Sequence, residues 1–358
     1  YGLAFYGKAS QGQRLVARID GGGAAWQRAV ALPDPARDAA FKHYFLPVNL
    51  PNGAAGAQLS FDLGGAAGTV WIDGVQLCSM PQTFGDEFDG DALDLSKWEH
   101  CIGYKKDCTV EEYGGVEYYT PRNVSVSGGT MKQRFTRDPA RVCIGCGFAE
   151  ERMVDREYAS AYVQTSRSFS TQYGYIEARM KMPTTKGTWP AFWMLPARRG
   201  SSVEWPPEID VLEYYPIQPE LTWHTMHYKT PQSFHNTDGK QYQHPQLLSA
   251  DFHTYAVNWT PNEIIWYVDG METYRSSVAS VQQPLFLIVS MGSGGIAGRP
   301  EADLSGGVFE IDYVRAYNNS ESFGFDGGAQ QPTQTPQPTV DMGQLTQRLY
   351  LPVTRRGR

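Results

Sequence analysis

Along most of the chain the apolar positions recur at every second residue, the period of a strand with one buried face, and not at every third or fourth. From residue 1 to about 80 the alternating runs are "YGLAFYGKAS", "RLVARIDG", "FKHYFLPVNL", "AQLSFDLG" and "TVWIDGVQL". Glycine-rich turns separate them and leave no room for helices, so this stretch predicts most of a small β-sandwich. Residues 84 to 317 repeat the pattern at larger scale, with strand candidates "NVSVSGGTMKQRF", "YGYIEARMKMP", "TYAVNWT", "EIIWYVDGM", "PLFLIVSM" and "GVFEIDYVRAY". From 319 the chain turns into "GGAQQPTQTPQPT", too poor in apolar groups to pack a core, and ends in "LYLPVTRRGR". The reading is all-β: a partial sandwich over 1–80, a larger β domain over 81–318, and a linker with a short anchor or remnant over 319–358.

Composition supports that reading. A length of 358 residues suggests about two domains, and 37 glycines, 23 prolines and 13% aromatics favour turn-rich β architecture over a helical bundle. The net charge of -7 provides no general basic field for nucleic acid or anionic membranes. No apolar run reaches membrane-spanning length. The opening residues alternate like a strand already inside a sheet and do not read as a signal peptide, so a fragment with its targeting segment missing is expected. Five cysteines, at 78, 101, 108, 143 and 146, leave at least one over if the others pair. "CIGYKKDC" and "CIGC" could instead offer four thiolates to zinc, but their spacings fit no common zinc module, which favours disulfides or thiols. Disulfides suit an exported protein.

One stretch breaks the alternation. "PPEIDVLEYYP" puts Glu208, Asp210 and Glu213 into six positions, between prolines that leave too little room for a helix. On a strand Glu208 and Asp210 share a face, and Glu213 points the other way unless one residue near Val211 and Leu212 is absorbed as a β-bulge. The odd gap therefore predicts a bulge that turns all three acids to one side. Glu208 and Glu213 would then stand roughly 13 Å apart at Cα. Their carboxyl groups would come within about 5 Å, the spacing of a retaining glycosidase. Three like charges so close also predict that one holds a proton at neutral pH, as a general acid requires.

These residues carry a resemblance. "EIDVLE" is similar to the E-x-D-x-x-E catalytic strand of glycoside hydrolase family 16, in the bulged form of laminarinases, agarases and carrageenases. "FGDEFDGDALDLSKW", "YGYIEARMKMPTTKGTWPAFWMLP", "HTYAVNWTPNEIIWYVDG" and "FEIDYVRAY" agree in order and spacing. The resemblance implies a lectin-like jelly-roll of two antiparallel sheets with an open cleft, and endo-hydrolysis of a β-linked polysaccharide with retention. Carried over by position, Glu208 is the nucleophile, Asp210 its electrostatic helper and Glu213 the acid/base. A β-1,3-glucan is the first expectation for substrate. The alternatives are an agar- or carrageenan-type galactan, or a transglycosylase or noncatalytic binder on the same fold.

Flat aromatic rings bury the apolar faces of sugars, so Trp189, Trp193 and Trp205 are candidate substrate contacts, each with core packing as its plain alternative. His227 in "HTMHY" aligns with a histidine beside the family's active site. Tyr162 in "SAYVQ" stands where laminarinases often carry an arginine, and is a further candidate. The resemblance implies no cofactor for catalysis, but a structural calcium at positions matching Glu87, Gly129 and Asp312, the first two through backbone carbonyls. Residues 1–80 resemble the second half of a family 4/9-type carbohydrate-binding module whose opening strands are missing. A half sandwich exposes strand edges and needs them covered. The expected partner is a polysaccharide, with neither nucleic acid nor membrane, and the expected context is a monomer secreted or displayed by a bacterial-type cell.

Overall fold

The computed structural model describes residues 1–36, 38–50, 56–63, 68–100, 115–144, 152–196, 205–278, 281–295, 303–318 and 348–352. The chain divides into two units, Tyr1–Pro81 with Tyr267–Glu272 and Asn319–Arg358, and Gln82–Trp266 with Thr273–Asn318.

The first unit holds β1 (Gly2–Ala9), β2 (Gln13–Gly21), β3 (Ala24–Leu32), β4 (Lys42–Pro47), β5 (Gln58–Asp62) and β6 (Val70–Cys78). β1 pairs antiparallel with β4 and β6, and β2 pairs antiparallel with β3 and β5. Alternate residues of these strands, among them Leu3, Phe5, Leu15, Ile19, Tyr44 and Phe61, make one buried cluster. Phe5 stacks on Tyr44 with ring centroids 5.0 Å apart. The C-terminal segment contributes a strand here: Arg348–Pro352 runs antiparallel to β5, from Arg348 opposite Asp62 to Pro352 opposite Gln58. The Pro/Thr/Gln tract lies outside the described residues.

The second unit contains β7 (Gln82–Asp86), β8 (Glu99–His100), β9 (Glu117–Tyr119), β10 (Val124–Ser127), β11 (Thr130–Arg134), β12 (Thr136–Ile144), β13 (Arg152–Gln164) and β14 (Gly174–Lys181). It continues with β15 (Thr188–Pro196), β16 (Glu208–Tyr214), β17 (Leu221–Thr230), β18 (Ser233–Gln243), β19 (His253–Trp259), β20 (Ile264–Val268, up to Trp266), β21 (Met271–Ser276, from Thr273), β22 (Leu285–Ser293) and β23 (Val308–Tyr317). The strand from the tail, Arg348–Pro352, is β24. One sheet of the second unit runs β10-β11-β23-β14-β19-β20-β21, with β7 also on β23. The other runs β12-β13-β22-β15-β16-β17-β18, with β8 and β9 on β13. Apolar residues of both sheets, including Ile176, Phe192, Ile209, Leu212, Met226, Tyr255, Trp266, Val289 and Ile311, are buried. This is the all-β architecture expected from the period-two pattern, in the jelly-roll-like form that the resemblance implies.

β17 shows how the pattern serves the site. Its residues Thr222, His224 and Met226 are buried, while Trp223, Thr225 and His227 alternate with them on the other face. The register puts His227 opposite Glu208, Thr225 opposite Asp210 and Trp223 opposite Glu213.

Candidate active site

β16 carries the predicted bulge. Against β17, Asp210 pairs with Thr225 and Glu213 with Trp223, so three steps on β16 match two on its neighbour. Against β15 the register also shifts, with Asp210 opposite Trp193 and Leu212 opposite Phe192. Ile209, Val211, Leu212 and Tyr214 are all fully buried. Glu208, Asp210 and Glu213 thereby project from the same face of the sheet, with cross-strand partners Trp193, His227, Thr225 and Trp223 on that face.

A bulge in a buried strand takes main-chain oxygens out of the ladder, and each buried carbonyl without a donor costs about 1–3 kcal/mol. Two carbonyls at the bulge have side-chain donors. Trp266 Nε1 on β20 donates to the Asp210 carbonyl at 2.8 Å. His224 Nδ1 donates to the Val211 carbonyl at 2.8 Å, and its Nε2 accepts from the Thr222 hydroxyl at 3.2 Å. Burial pulls the His224 ring down to about 4, so it stays neutral, with the proton on Nδ1. Sequence reasoning did not single out Trp266 or His224, because their role follows only from where the bulge leaves its carbonyls.

The three carboxyl groups sit in different surroundings. Glu208 Oε2 accepts from Trp205 Nε1 at 2.7 Å. Asp210, only 3% exposed, accepts at Oδ2 from His227 Nε2 at 3.0 Å. The same His227 nitrogen lies 3.8 Å from Glu208 Oε1. Glu213 Oε1 accepts twice, from Trp189 Nε1 at 3.0 Å and from the Tyr215 hydroxyl at 3.2 Å. With Oε1 so engaged, the proton of a neutral Glu213 belongs on Oε2. Burial raises all three acids above the ordinary carboxylate range. The charge of Asp210 adds to this at Glu208, and that of Glu213 adds to it at Asp210. At Glu213 the nearby His227 and the two donors pull the other way. Such a site holds protons near neutral pH and can offer both a carboxylate and a carboxylic acid.

The aromatic candidates divide by position. Trp189 stacks on Tyr215 with centroids 5.6 Å apart, and Gly295, at φ +59°, leaves no room for a Cβ against the indole. Its indole N–H serves Glu213 directly. Trp205 is equally tied to Glu208, and its ring lies 4.7 Å from that of His235. Trp193 donates from Nε1 to Ser290 Oγ at 3.1 Å and meets Tyr162 edge-on. Tyr162 shares the acids' side of the sheet, but it is 3% exposed and packed against Tyr119 and Trp193. It packs among these rings, which corrects its reading as a sugar contact. Tyr215 and His235 are further residues of the site that the sequence did not flag. His235 lies on the polar strand β18, eight positions from His227, and its Nε2 is 2.8 Å from His227 Nδ1.

The calcium positions lie away from this cluster. β7 reaches β23 with Asp86 opposite Val314, and β11 reaches it with Met131 opposite Ile311, so Glu87 and Gly129 both approach the backbone at Asp312. Gly129 has φ +74° in the β10–β11 turn, a conformation that favours glycine. Asp312 Oδ2 pairs with Arg179 at 2.6 Å, and the Glu87 carboxylate is held by Arg315 at 2.6 and 2.8 Å. The side chain of Glu87 is thus engaged elsewhere. Asp312 Oδ1 and the two main-chain oxygens are the donors a calcium ion would take. Of the cysteines, Cys143 is disulfide-bonded, which disfavours the zinc alternative. Cys101, Cys108 and Cys146 lie outside the described residues.

Residues 122–315, more than half of the chain, match the family described as glycosyl hydrolases family 16. The chain belongs to glycosyl hydrolase family 16. Among curated relatives of this family, endo-1,3-1,4-beta-glycanase ExsH of Rhizobium meliloti (strain 1021) is 32% identical over 260 residues, covering 67% of this chain and 52% of the relative. The beta-glucanase of Rhodothermus marinus is 32% identical over 258 residues, 65% of this chain and 84% of the relative. The laminarinase catalytic domain of Thermotoga maritima MSB8 superposes with a TM-score of 0.56 at 27% identity, over 67% of this chain and 98% of that one. The chain spans about half the length of the first curated relatives it matches. The match to family 16 does not extend to residues 1–80, so the carbohydrate-binding-module resemblance there has no counterpart in it.

Proposed function

We propose that this chain is a retaining endo-glycoside hydrolase acting on a β-linked polysaccharide, with a β-1,3-glucan as first choice. The observation that carries the proposal is the bulge, which puts Glu208, Asp210 and Glu213 on one face with three different hydrogen-bond environments. Glu208 attacks the anomeric carbon while Glu213 delivers the Oε2 proton to the leaving oxygen, forming a glycosyl ester on Glu208. Glu213, now ionised and steadied by Trp189 and Tyr215, takes a proton from water, which opens the ester with overall retention. Asp210 and His227 set the charge beside the nucleophile. The glucan reading draws on relatives and neighbours named as beta-glucanase and laminarinase. A galactan is the second reading, since the kappa-carrageenase of Pseudoalteromonas carrageenovora is also similar, 31% identical over 203 residues. A calcium ion at Asp312, export through an oxidising compartment and a monomeric state belong to the same proposal.

Incubating the protein with laminarin, lichenan, agarose and carrageenans, beside Glu208→Gln and Glu213→Gln variants, tests it. Oligosaccharides released from laminarin by the wild type and not by the variants are expected. Binding without release from every polymer would favour a noncatalytic carbohydrate-binding protein.

A further inference from the structure

The mechanism above leaves one group unused. His235 lies on β18, at the outer edge of the cleft-bearing sheet, and is exposed. It reaches inward to His227, with rings stacked at 5.1 Å and an interplanar angle of 18°. A continuous chain of hydrogen-bonding atoms results, from His235 Nε2 to His227 Nδ1 at 2.8 Å and from His227 Nε2 to Asp210 Oδ2 at 3.0 Å. Among the described residues no hydrogen bond reaches His235 Nδ1, so that atom is left for solvent.

We infer that His235 and His227 form a proton path between solvent and the buried carboxyl of Asp210. The inference rests on the hydrolase reading above. With Asp210 ionised, His235 Nε2–H donates to His227 Nδ1, and His227 Nε2–H donates to Asp210. A proton arriving at His235 Nδ1 lets Nε2–H pass to His227 Nδ1 and His227 Nε2–H pass to Asp210 Oδ2. One proton enters and one is delivered. Both rings end neutral, each protonated at Nδ1, and the reverse transfer follows the same atoms.

The reaction has a use for such a path. While Glu208 is a carboxylate, a proton on Asp210 removes the like charge beside it and leaves Glu208 able to act as nucleophile. Once Glu208 is esterified its charge is gone, and Asp210 no longer has that reason to keep the proton. When water opens the ester, the charge on Glu208 returns and Asp210 takes a proton up again. Among the described residues, the charged groups facing this chain are Glu208, Asp210 and Glu213 from β16 and Lys229 from β17, whose ammonium lies 4.8 Å from the ring of Phe234 next to His235. Burial and the neighbouring His227 hold His235 below the usual imidazole range, so it is neutral at pH 7 and able to accept a solvent proton.

Two measurements on the whole chain test the path. The first is kcat and KM for His235→Ala from pH 5 to 8 on the polymer that the wild type hydrolyses best, with and without added imidazole. Because His235 relays protons to Asp210 and does not touch the reacting atoms, we expect kcat to fall by less than the roughly 10²-fold of a direct general acid while KM stays nearly unchanged, with imidazole restoring much of the loss. Wild-type kcat at every pH, or a loss that imidazole does not relieve, would overturn the path. The second is the nitrogen-15 spectrum of His227, which needs no turnover. It should show the Nε2–H tautomer where Asp210 is ionised and a change to Nδ1–H as falling pH protonates Asp210, with the Asp210 carboxyl carbon shift followed alongside. A His227 tautomer that stays the same while the Asp210 carboxyl titrates would overturn the path even in an active enzyme, and a polymer panel without products beside the expected spectra would sink only the hydrolase reading.

Discussion

Trp266 donates its indole N–H to the main-chain oxygen of Asp210 at 2.8 Å, so a core side chain of one sheet holds the acid-bearing strand of the other by its backbone. His224 does the same for Val211. Replacing Trp266 by Phe keeps most of the buried area and strands one carbonyl, which should cost about 1–3 kcal/mol. For a unit of this size that is about 2–4 °C in Tm per kcal/mol. Calorimetry checks the loss. The bulge account also expects kcat to fall more than KM changes, since the acids lose their common aim.

His224 gives the fold an acid-sensitive point. Its folded value of about 4 lies below the unfolded histidine value, so the folded state binds fewer protons in between. The stability this ring contributes is present above about 6.5 and is lost as pH falls toward about 4. Urea titrations at pH 7 and pH 4.5 should show a smaller loss on acidification for His224→Gln than for the wild type, because glutamine has no charge to gain.

The acid trio has the opposite sign. Burial raises Glu208, Asp210 and Glu213, so the folded state holds their protons more tightly than the unfolded chain does. Their favourable contribution is full below the ordinary carboxylate range and is lost as pH rises through the raised values. Glu213→Gln should therefore melt higher than the wild type at pH 8 and no higher at pH 4, while its activity falls about 10²–10⁴-fold. Melting curves at the two pH values decide this.

Trp189 and Tyr215 both donate to Oε1 of Glu213, and both favour its ionised form. Removing either donor should raise Glu213 further, so the acid stays protonated to higher pH. In Trp189→Phe and Tyr215→Phe the alkaline limb of the kcat profile should move up, with lower kcat at the optimum. An alkaline limb that stays in place in both would assign these residues to packing.

If calcium binds at Asp312, a chelator should lower Tm and leave kcat at moderate temperature unchanged, because this site lies on β23 and the acids lie on β16 of the other sheet. Asp312→Ala should abolish the response to added calcium.

The strands of both units were legible because most bury one face and expose the other, as β17 does with Thr222, His224 and Met226. The bulge was legible from the spacing of Glu208, Asp210 and Glu213 alone, since a strand cannot otherwise bring them to one side. β18 was not. "SFHNTDGKQYQ" is an edge strand with mostly exposed side chains, so it lacks an apolar alternation, and His235 was hidden with it. The burial of Tyr162, a candidate substrate contact by position, was not legible because its partners Tyr119 and Trp193 are far apart in sequence and meet it only across the sheet. His224 and Trp266 carry no local signal, because what fixes their role is a carbonyl at the bulge of a different strand.

The anomeric configuration of the first product tests the central claim most directly. Proton NMR of a polymer digest, recorded before mutarotation, should show the newly formed reducing end in the β configuration, matching the bond that was cut. An α signal appearing first would mean direct attack by water, and Glu208 could not then be the group that forms the ester.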